Sequence, residues 1–331
     1  MDTYTLPLPA VAAAQARIAP YIRRTPMSPP PLPAGSLPGT LGHDGLRFKF
    51  EQMQVAGSFK SRGVFNSLLL LPPDVRGVIT ASGGNHGLAL AYAARRLGIP
   101  CTVYLPENAM PDRTTRIAAF GAQVIREGAV FDEANRAAIA RAEADGLAYV
   151  HPFNSEKMVE GNASLAVELL DDMPDIDAVI VAIGGGGLIG AVAGVLKQHK
   201  PSIRVFGVEP TGAPSMKTSL DAGRLVELPT VRTIADTLAP RAVGDVTLAL
   251  AQQYVDEIVL VSDLDMIAGM RWLWTHYNQL VEPAGAAALA SVLTGRLDLT
   301  PFQRPAVIVC GGNAGAEGVF ASYEEKAELR K

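Results

Sequence analysis

The stretch "DAVIVAIGGGGLIGAVAGVLKQHK", residues 177–200, decides the fold class. Residues 177–184 form an apolar run rich in valine and isoleucine, which is typical of a buried strand. The four glycines 184–187 then lead into an alanine- and leucine-rich segment with apolar residues at helical spacing. A strand, a glycine turn and a helix in this order predict one unit of a parallel α/β sheet.

The rest of the chain repeats this order. Short apolar runs flanked by glycine or proline alternate with longer segments of helical periodicity. Such alternation predicts parallel sheets with helices on both faces. Three runs precede residue 130 and four follow residue 176, which indicates two sheets. The predicted strands are 76–81, 100–106, 122–126, 177–184, 203–210, 257–262 and 305–312.

Composition excludes several classes of protein. The chain has 331 residues, 48% of them hydrophobic, and a net charge of −4, with its basic residues scattered. A length of this order favours two domains, and the charge gives no footprint for nucleic acid. No apolar run approaches the roughly 20 residues of a membrane span. The N-terminus lacks the apolar region of a signal peptide, and the two cysteines form no disulfide or metal pattern. We therefore expect a cytoplasmic protein without nucleic-acid or membrane partners.

The glycine run indicates an anion site. Without side chains, backbone N–H groups approach an anion closely, and the positive end of a helix dipole adds to the attraction. No Gly-Lys-Ser/Thr follows, so the run is not a Walker loop. The pyrophosphate of a dinucleotide and a purely structural tight turn are the alternatives to the single phosphate that we infer.

A second turn, "TASGGNHGLALAYAA" (80–94), differs in its chemistry. Ser82, Gly83, Asn85 and His86 follow a predicted strand and open a predicted helix. Backbone N–H groups beside hydroxyl and amide side chains suit a carboxylate and a polar ring substituent. For His86, a general base and a hydrogen-bonded structural histidine are both compatible with the sequence.

The stretch "VAGSFKSRG" (55–63) places a lysine in an unfavourable position. Ser58 is a natural N-cap, so a helix is predicted to start at about Phe59. Lys60 and Arg62 then lie at the positive end of that helix, where cations are disfavoured. A lysine fits there if its amine is not a free, solvated ammonium.

A third glycine-rich strand end is "VIVCGGNAG" (307–315). Cys310 is either a small buried apolar residue or a weak polar contact to a ring. Three glycine-rich strand ends and an unusually placed lysine share one explanation, a cofactor with one phosphate and an aldehyde. Pyridoxal phosphate meets this description.

The motifs "SFKSRG", "SGGNHG", "GGGGLIG" and "CGGN", in this order, resemble the fold-type II pyridoxal-phosphate enzymes. The branch that this chain resembles contains the threonine/serine dehydratases and serine racemases, and the similarity covers almost the whole chain. It implies an α/β fold like that of the tryptophan synthase β-subunit, with two open, mainly parallel sheets and helices on both faces. It also implies a large domain of residues 1–51 and 151–331, a small domain of residues 52–150, and a homodimer.

The resemblance implies roles for particular residues of this chain. Lys60 would form the Schiff base with the cofactor, with Phe59 packed beside it. The other cofactor contacts would be Asn85 on the ring oxygen, Cys310 on the pyridine nitrogen, and Gly184, Gly185, Gly186, Gly187 and Leu188 around the phosphate. The substrate carboxylate would be held by Ser82, Gly83, Asn85 and His86.

The reaction implied is an α,β-elimination that converts L-threonine or L-serine into a 2-oxo acid and ammonia, with one water lost in the elimination and one taken up on hydrolysis. The freed amine of Lys60 would remove the α-proton. Two alternatives keep the cofactor: a serine racemase, and a dehydratase for a bulkier or acidic 3-hydroxy amino acid such as phenylserine or 3-hydroxyaspartate. A third is a nucleotide- or phosphometabolite-binding protein without this chemistry.

The chain departs from the family pattern at several positions. Gly83 stands where racemising relatives carry a serine, which predicts loss of their second base. Glu209, Ala213 and Ser215 match a divalent-cation site whose aspartate is absent, so no metal is expected. The stretch 160–169 and Thr237 also differ from the usual pattern, which predicts a changed substrate preference. The chain ends soon after "CGGN", so we expect no regulatory domain.

Overall fold

The computed structural model describes residues 4–29, 43–107, 109 and 111–315. Its strands form two sheets in which every neighbouring pair is parallel. The strands are β1 (Arg47–Phe50), β2 (Val78–Ala81), β3 (Cys101–Leu105), β4 (Gln123–Arg126), β5 (Ala148–Tyr149), β6 (Ala178–Ala182), β7 (Arg204–Pro210), β8 (Glu257–Val261) and β9 (Pro305–Val309). The larger sheet has the order β1-β9-β6-β7-β8 and the smaller one β4-β3-β2-β5.

Helices connect these strands, as the alternating pattern predicts. They are α1 (Leu8–Ile18), α2 (Lys60–Leu69), α3 (Asn85–Leu97), α4 (Pro111–Ala119), α5 (Phe131–Asp145), α6 (Glu156–Asp172), α7 (Gly187–His199), α8 (Ser215–Ala222), α9 (Asp245–Tyr254), α10 (Asp263–Tyr277) and α11 (Pro283–Leu293). Among the described residues, no helix combines the length and the apolar character that a membrane span requires.

All the strands predicted from the sequence are present, but β1 and β5 were missed. β5 has two residues, too few to give a pattern. β1 reads "RFKF", and its charges hide the strand from a search for apolar runs. Lys49 of β1 is fully buried, and its Nζ lies 2.8 Å from Glu168 and 3.1 Å from Asp172. A buried charge is tolerated when it is paired in this way.

Helices cover both faces of the smaller sheet. Successive side chains of a strand point to opposite faces. Along β2, Val78 enters a core cluster that contains Leu90 of α3, whereas Ile79 enters another that contains Ala134 and Ala138 of α5. Each face of this sheet therefore has its own core and its own helix, as the sequence predicts.

The larger sheet also contacts two groups of helices. α11 packs on β6, β7, β8 and β9 and on α10, while α7 packs on β6, α6 and α9. Every residue of β6 and β9 is buried. These two strands are neighbours, so the glycine run after β6 and Cys310 after β9 emerge side by side. Ligands of open α/β sheets bind at this carboxyl edge.

The four strands of the smaller sheet all lie between residues 78 and 149. We propose the predicted division, with residues 52–150 as the small domain, on this basis. α2 packs both on α3 and on α6, so it joins the two parts of the molecule.

Candidate active site

A cavity of about 760 Å³ is lined by residues that follow strands β2, β3, β5, β6 and β9. It brings together Lys60 and all three glycine-rich strand ends. The lining includes every residue for which the sequence suggested a cofactor or substrate role: Phe59, Lys60, Ser82, Gly83, Asn85, His86, Gly184, Gly185, Gly186, Gly187, Leu188 and Cys310.

Lys60 is the first residue of α2, and the cap position before it is occupied by Phe59, not by the predicted Ser58. Phe59 already has helical dihedral angles and occupies the cap position, so the prediction of Ser58 as N-cap is wrong. Ser58 instead forms an antiparallel bridge with Gly311, and the Phe59 N–H donates to the Cys310 carbonyl at 3.1 Å. The helix therefore begins one residue after the predicted start, and Ser58 pairs with the end of β9 instead of capping it.

The Lys60 amine lies within the cavity wall. Its Nζ donates to the Pro152 carbonyl oxygen at 2.5 Å and lies 5.2 Å from the centre of the Phe59 ring. Burial lowers the pKa of Lys60 from 10.5 to about 8. About a tenth of the amine is then uncharged at pH 7, far more than for a solvated lysine. Such an amine is suited to act as a nucleophile or a base.

Arg62, the second cation at this helix end, is fully buried and does not belong to the cavity lining. Its guanidinium donates to both oxygens of Glu51 at 2.8 Å, and to Glu168 at 2.7 and 2.9 Å. Paired carboxylates therefore compensate for the unfavourable helix end. Lys60 differs from Arg62 in that its amine lines the cavity and donates to an uncharged carbonyl oxygen.

The glycine run forms a turn that side chains would block. Gly186 has a φ of +88°, and α7 begins at Gly187. A Cβ on Gly185 would lie 2.2 Å from the Phe153 ring, and one on Gly184 would lie 2.9 Å from the Thr237 carbonyl oxygen. The first N–H groups of α7 have no acceptor within their helix, and the helix dipole favours an anion there. This turn fits a phosphate group.

The second turn places the first residues of α3 at the cavity, with Gly84 as the cap. His86 is buried, and its Nε2 lies 3.0 Å from the Val150 carbonyl oxygen. Burial, together with the charge of Lys60, lowers the pKa of His86 to about 3. So weak a base cannot compete with Lys60 for a proton, and the structural interpretation of this histidine is favoured.

Cys310 is a buried, neutral thiol. Its Sγ donates to the Ala284 carbonyl oxygen at 3.3 Å. Burial raises the pKa of Cys310 well above its usual range. The thiol thus offers a polar but uncharged neighbour to a ring bound in the cavity.

Glu209, the carboxylate considered as a metal ligand, hydrogen-bonds to backbone N–H groups. Both oxygens of Glu209 accept bonds from the N–H groups of Met216 and Lys217, at 2.8 and 2.9 Å. These N–H groups belong to the first turn of α8, so Glu209 caps that helix. Within the described ranges, no group of three or more potential metal ligands was found, and Ala213 and Ser215 offer no further carboxylate.

Sequence reasoning missed a further part of the cavity lining, which includes Val130, Phe131, Asp132, Asn135, Tyr149, Glu227 and Arg241. Arg241 lies there, 3.0 Å from Asp132 and 2.9 Å from Glu227. Tyr149 donates to Asn135 at 2.5 Å beside them. These residues come from separate loops and helices, so no spacing in the sequence links them.

The segment "HPF" (151–153) after β5 was also missed, because β5 itself is too short to give a sequence pattern. Nδ1 of His151 accepts from the N–H groups of Phe153 and Asn154, at 3.2 and 2.9 Å. Burial lowers the pKa of His151 to about 4, so the ring stays neutral and keeps this turn closed. The turn holds the Pro152 carbonyl against the Lys60 amine.

The arrangement fits an aldehyde cofactor with one phosphate. It combines an amine of lowered pKa, a helix N-terminus free of side chains, an amide and a neutral thiol around one cavity. A dinucleotide would need neither the amine nor its depressed pKa.

Comparison with known proteins agrees with this chemistry. The profile of a family described as pyridoxal-phosphate dependent enzyme matches residues 18–311. The chain is 39% identical to the L-threonine ammonia-lyase of Thermotoga maritima over 270 residues, 81% of this chain and 67% of that protein. It is 37% identical to a serine racemase of Oryza sativa, over 94% of this chain and 91% of the relative. It is 38% identical to the phenylserine dehydratase of Ralstonia pickettii, over 98% of each.

Solved structures show the same fold. Maize serine racemase superposes with a TM-score of 0.91 at 34% identity, over 99% of each chain. The processed form of threonine deaminase isoform 2 from Solanum lycopersicum gives a TM-score of 0.86 at 31% identity, over 96% of this chain and 91% of that chain. The predicted fold class is therefore confirmed.

Proposed function

This chain belongs to the pyridoxal-phosphate dependent enzymes, and we propose that it is an ammonia-lyase for L-threonine and L-serine. The observation that carries the proposal is geometric: the Lys60 amine, whose pKa is lowered by burial, lines the same cavity as the glycine turn before α7. Members of the family use pyridoxal 5'-phosphate. When bound, this cofactor stabilises the negative charge that develops at the α-carbon of an amino acid.

The residues that would hold the cofactor are those that line the cavity around the glycine run. Gly184 to Gly187 and Leu188 would bind the phosphate through backbone N–H groups and the α7 dipole. Asn85 would donate to the ring oxygen, and Cys310 would lie at the pyridine nitrogen as a neutral thiol. Phe59 would pack beside Lys60, which would link to the aldehyde.

Proton removal is assigned to Lys60. Once the substrate amine takes the place of Lys60 on the cofactor, the Lys60 amine is free to remove the α-proton. Burial lowers the pKa of Lys60, so more of this amine is uncharged and able to accept that proton. Ser82, Asn85, His86 and the N–H groups at the start of α3 would orient the substrate carboxylate. The β-hydroxyl of the substrate then takes up a proton and leaves as water, and one water is consumed when hydrolysis releases the 2-oxo acid and ammonia.

The lowered pKa predicts how the cofactor loads. Covalent attachment needs the uncharged amine, whose fraction rises with pH up to the pKa and then levels off. We expect the loading rate of the cofactor-free protein to rise about tenfold per pH unit below about 8 and to flatten above it. Stopped-flow absorbance measures this rate, with a free lysine derivative as reference. A midpoint near the ordinary value of 10.5 would contradict the burial of this amine.

A dehydratase for phenylserine is the second candidate, favoured by the part of the cavity wall around Arg241. Val130, Phe131 and Tyr149 give that wall apolar surface next to ample volume. Arg241 is already paired with two carboxylates, Asp132 and Glu227, so the wall does not offer an unpaired cation to an acidic substrate. 3-Hydroxyaspartate is therefore disfavoured.

A substrate panel separates these candidates. We expect release of 2-oxo acid from L-threonine, L-serine and phenylserine, and at least about tenfold lower kcat/KM for 3-hydroxyaspartate because like charges repel. Efficient turnover of 3-hydroxyaspartate would show that the Arg241 pairs open to receive a carboxylate. Failure with every substrate, despite a loaded cofactor, would refute the ammonia-lyase proposal.

Gly83 predicts the type of reaction. Racemisation needs a proton donor on the face opposite Lys60, and glycine supplies none. L-Serine should therefore yield pyruvate with negligible D-serine. Gly83→Ser should raise the ratio of D-serine to pyruvate by about tenfold or more, because a positioned hydroxyl can deliver that proton. Chiral chromatography of residual serine, together with pyruvate release, measures the ratio.

Gly83→Ala is the matched control, since it adds the carbon without the hydroxyl. It should leave the ratio unchanged. Formation of D-serine by the unmodified protein as fast as pyruvate would refute the dehydratase assignment.

We also propose a cytoplasmic homodimer, in line with the family resemblance. Leu264 and Trp274 of α10 are 76% and 57% exposed, and large apolar side chains of this kind are suited to contact a partner subunit. Light scattering of the holoenzyme tests the dimer, and cell fractionation tests the location.

A further inference from the structure

Two residues outside the cavity lining, Glu282 and Asn313, both contact the side chain of Asn85. We propose that they are positioning residues that fix the orientation of the Asn85 amide before any cofactor binds. The inference rests on the proposed contact of Asn85 with the cofactor. It assigns a role to the last residue of "CGGN", which the proposed function leaves without one.

Asn85 has a defined partner on each side of its amide. Nδ2 of Asn313 donates to Oδ1 of Asn85 at 2.6 Å. Nδ2 of Asn85 in turn donates to Oε1 of Glu282. Asn85 and Glu282 are each 5% exposed, so the bond between them is shielded from water, and the bond from Asn313 is partly buried. Buried hydrogen bonds of this kind are costly to leave unmade.

The orientation of Asn313 is set by two further partners. A guanidinium can only donate and a carbonyl can only accept. Arg116 donates to Oδ1 of Asn313 at 2.5 Å, and Nδ2 of Asn313 donates to the Ala56 carbonyl at 3.0 Å. The amide of Asn313 satisfies both partners in one orientation and loses both in the other.

These contacts fix which atoms donate and which accept along the series Arg116, Asn313, Asn85 and Glu282. With Oδ1 of Asn313 facing Arg116, its second N–H points to Asn85 and must meet an oxygen there. Oδ1 of Asn85 therefore faces Asn313, and Nδ2 of Asn85 faces Glu282. That nitrogen carries two hydrogens and gives one to Glu282. The other remains for a ligand in the cavity that Asn85 lines.

The backbone leaves room for this series at two glycines. Gly57 has a φ of +75°, and a Cβ there would lie 2.5 Å from Oδ1 of Asn313. A Cβ on Gly311 would lie 2.2 Å from Oε1 of Glu282 and 2.9 Å from Nδ2 of Asn85. Larger residues at either position would displace the side chains that orient Asn85. Gly57 and Gly311 thus leave space for the side chains that hold the Asn85 amide.

The series also crosses between the two parts of the molecule. Asn85 and Arg116 lie on α3 and α4, which pack on each other beside the smaller sheet. Glu282 precedes α11 and Asn313 follows β9, both next to the larger sheet. The orientation of one cavity amide therefore depends on how these two parts meet.

The test compares four variants of the full chain by three measurements. The measurements are the dissociation constant of the cofactor, the ratio of visible to near-ultraviolet absorption of the loaded protein at fixed pH, and Tm. Asn313→Ala removes the hydrogen bonds to Asn85, Ala56 and Arg116. Asn313→Asp keeps the shape but turns donors into acceptors, so the Asn85 amide should rotate. Asn85→Ala tests the proposed cofactor contact itself.

Asn66→Ala is the matched control. Asn66 is also buried between an arginine and a backbone carbonyl: Arg17 donates to its Oδ1, and its Nδ2 donates to the Lys157 carbonyl at 2.7 Å. It does not line the cavity. Its loss should lower Tm without changing the absorption ratio or the dissociation constant.

We expect Asn313→Ala to weaken cofactor binding about tenfold and to change the absorption ratio, as loss of one oriented hydrogen bond implies. Asn313→Asp should change the ratio further and remain folded, because its carboxylate pairs with Arg116. The inference is refuted if both Asn313 variants match Asn66→Ala in ratio and dissociation constant while Asn85→Ala does not. If Asn85→Ala also leaves both unchanged, the proposed cofactor contact of Asn85 is itself wrong.

Discussion

Lys60→Ala should abolish elimination and remove the visible absorption band of the bound cofactor. The band requires a covalent link to a lysine amine, and Lys60 is the amine that lies in the cavity with a pKa lowered to about 8. The same substitution removes the base for the α-proton. Loss of both functions predicts a fall in kcat of about 10⁴-fold or more. Absorbance spectra and 2-oxo acid release measure the two effects.

Lys60→Arg is the control for charge. It keeps a cation at the start of α2 but provides no amine for the aldehyde, because a guanidinium stays protonated. It should be as inactive as the alanine variant. Both variants should still bind the cofactor non-covalently, since the glycine run is unchanged. Wild-type turnover in either variant would refute the mechanism.

Much of the fold was predictable because it depends on local patterns. Runs such as 177–184 are buried on both faces of a parallel sheet, so their composition is nearly uniform and easy to detect. β1 escaped because its lysine is neutralised by Glu168 and Asp172, which are more than a hundred residues away in the chain. Partners at such distances cannot be inferred from the residues around a strand.

The residues of the candidate site likewise fall into those that the sequence predicts and those that it does not. The glycine run and Cys310 follow neighbouring strands of the larger sheet, so topology brings them together, and Asn85 follows β2 of the smaller sheet and lines the same cavity. The positions of Arg241 and Asn313 depend on contacts between separate elements. The cap of α2 likewise depends on a long-range contact: Ser58 forms a bridge with Gly311, so local capping rules found the start of the helix to within one residue but named the wrong cap.

Gly185→Asp should weaken cofactor binding severely. Gly185 lies in the turn before α7, where backbone N–H groups and the helix dipole favour an anion. A carboxylate in that turn would occupy the place of the phosphate and repel it. Two charges about 4 Å apart interact by about 4 kcal/mol near a protein surface. We therefore expect the dissociation constant of the cofactor to rise by about two to three orders of magnitude.

Gly185→Ala separates charge from crowding. Any Cβ at this position would lie 2.2 Å from the Phe153 ring, so both variants must displace that ring and should lose stability to a similar extent. The alanine variant adds no charge, so its cofactor affinity should fall much less than that of the aspartate variant. Equilibrium titration gives both dissociation constants, and Tm reports the shared packing cost. If the aspartate variant binds the cofactor as tightly as the alanine variant, no negative group lies at this turn, and the phosphate must be sought elsewhere in the cavity.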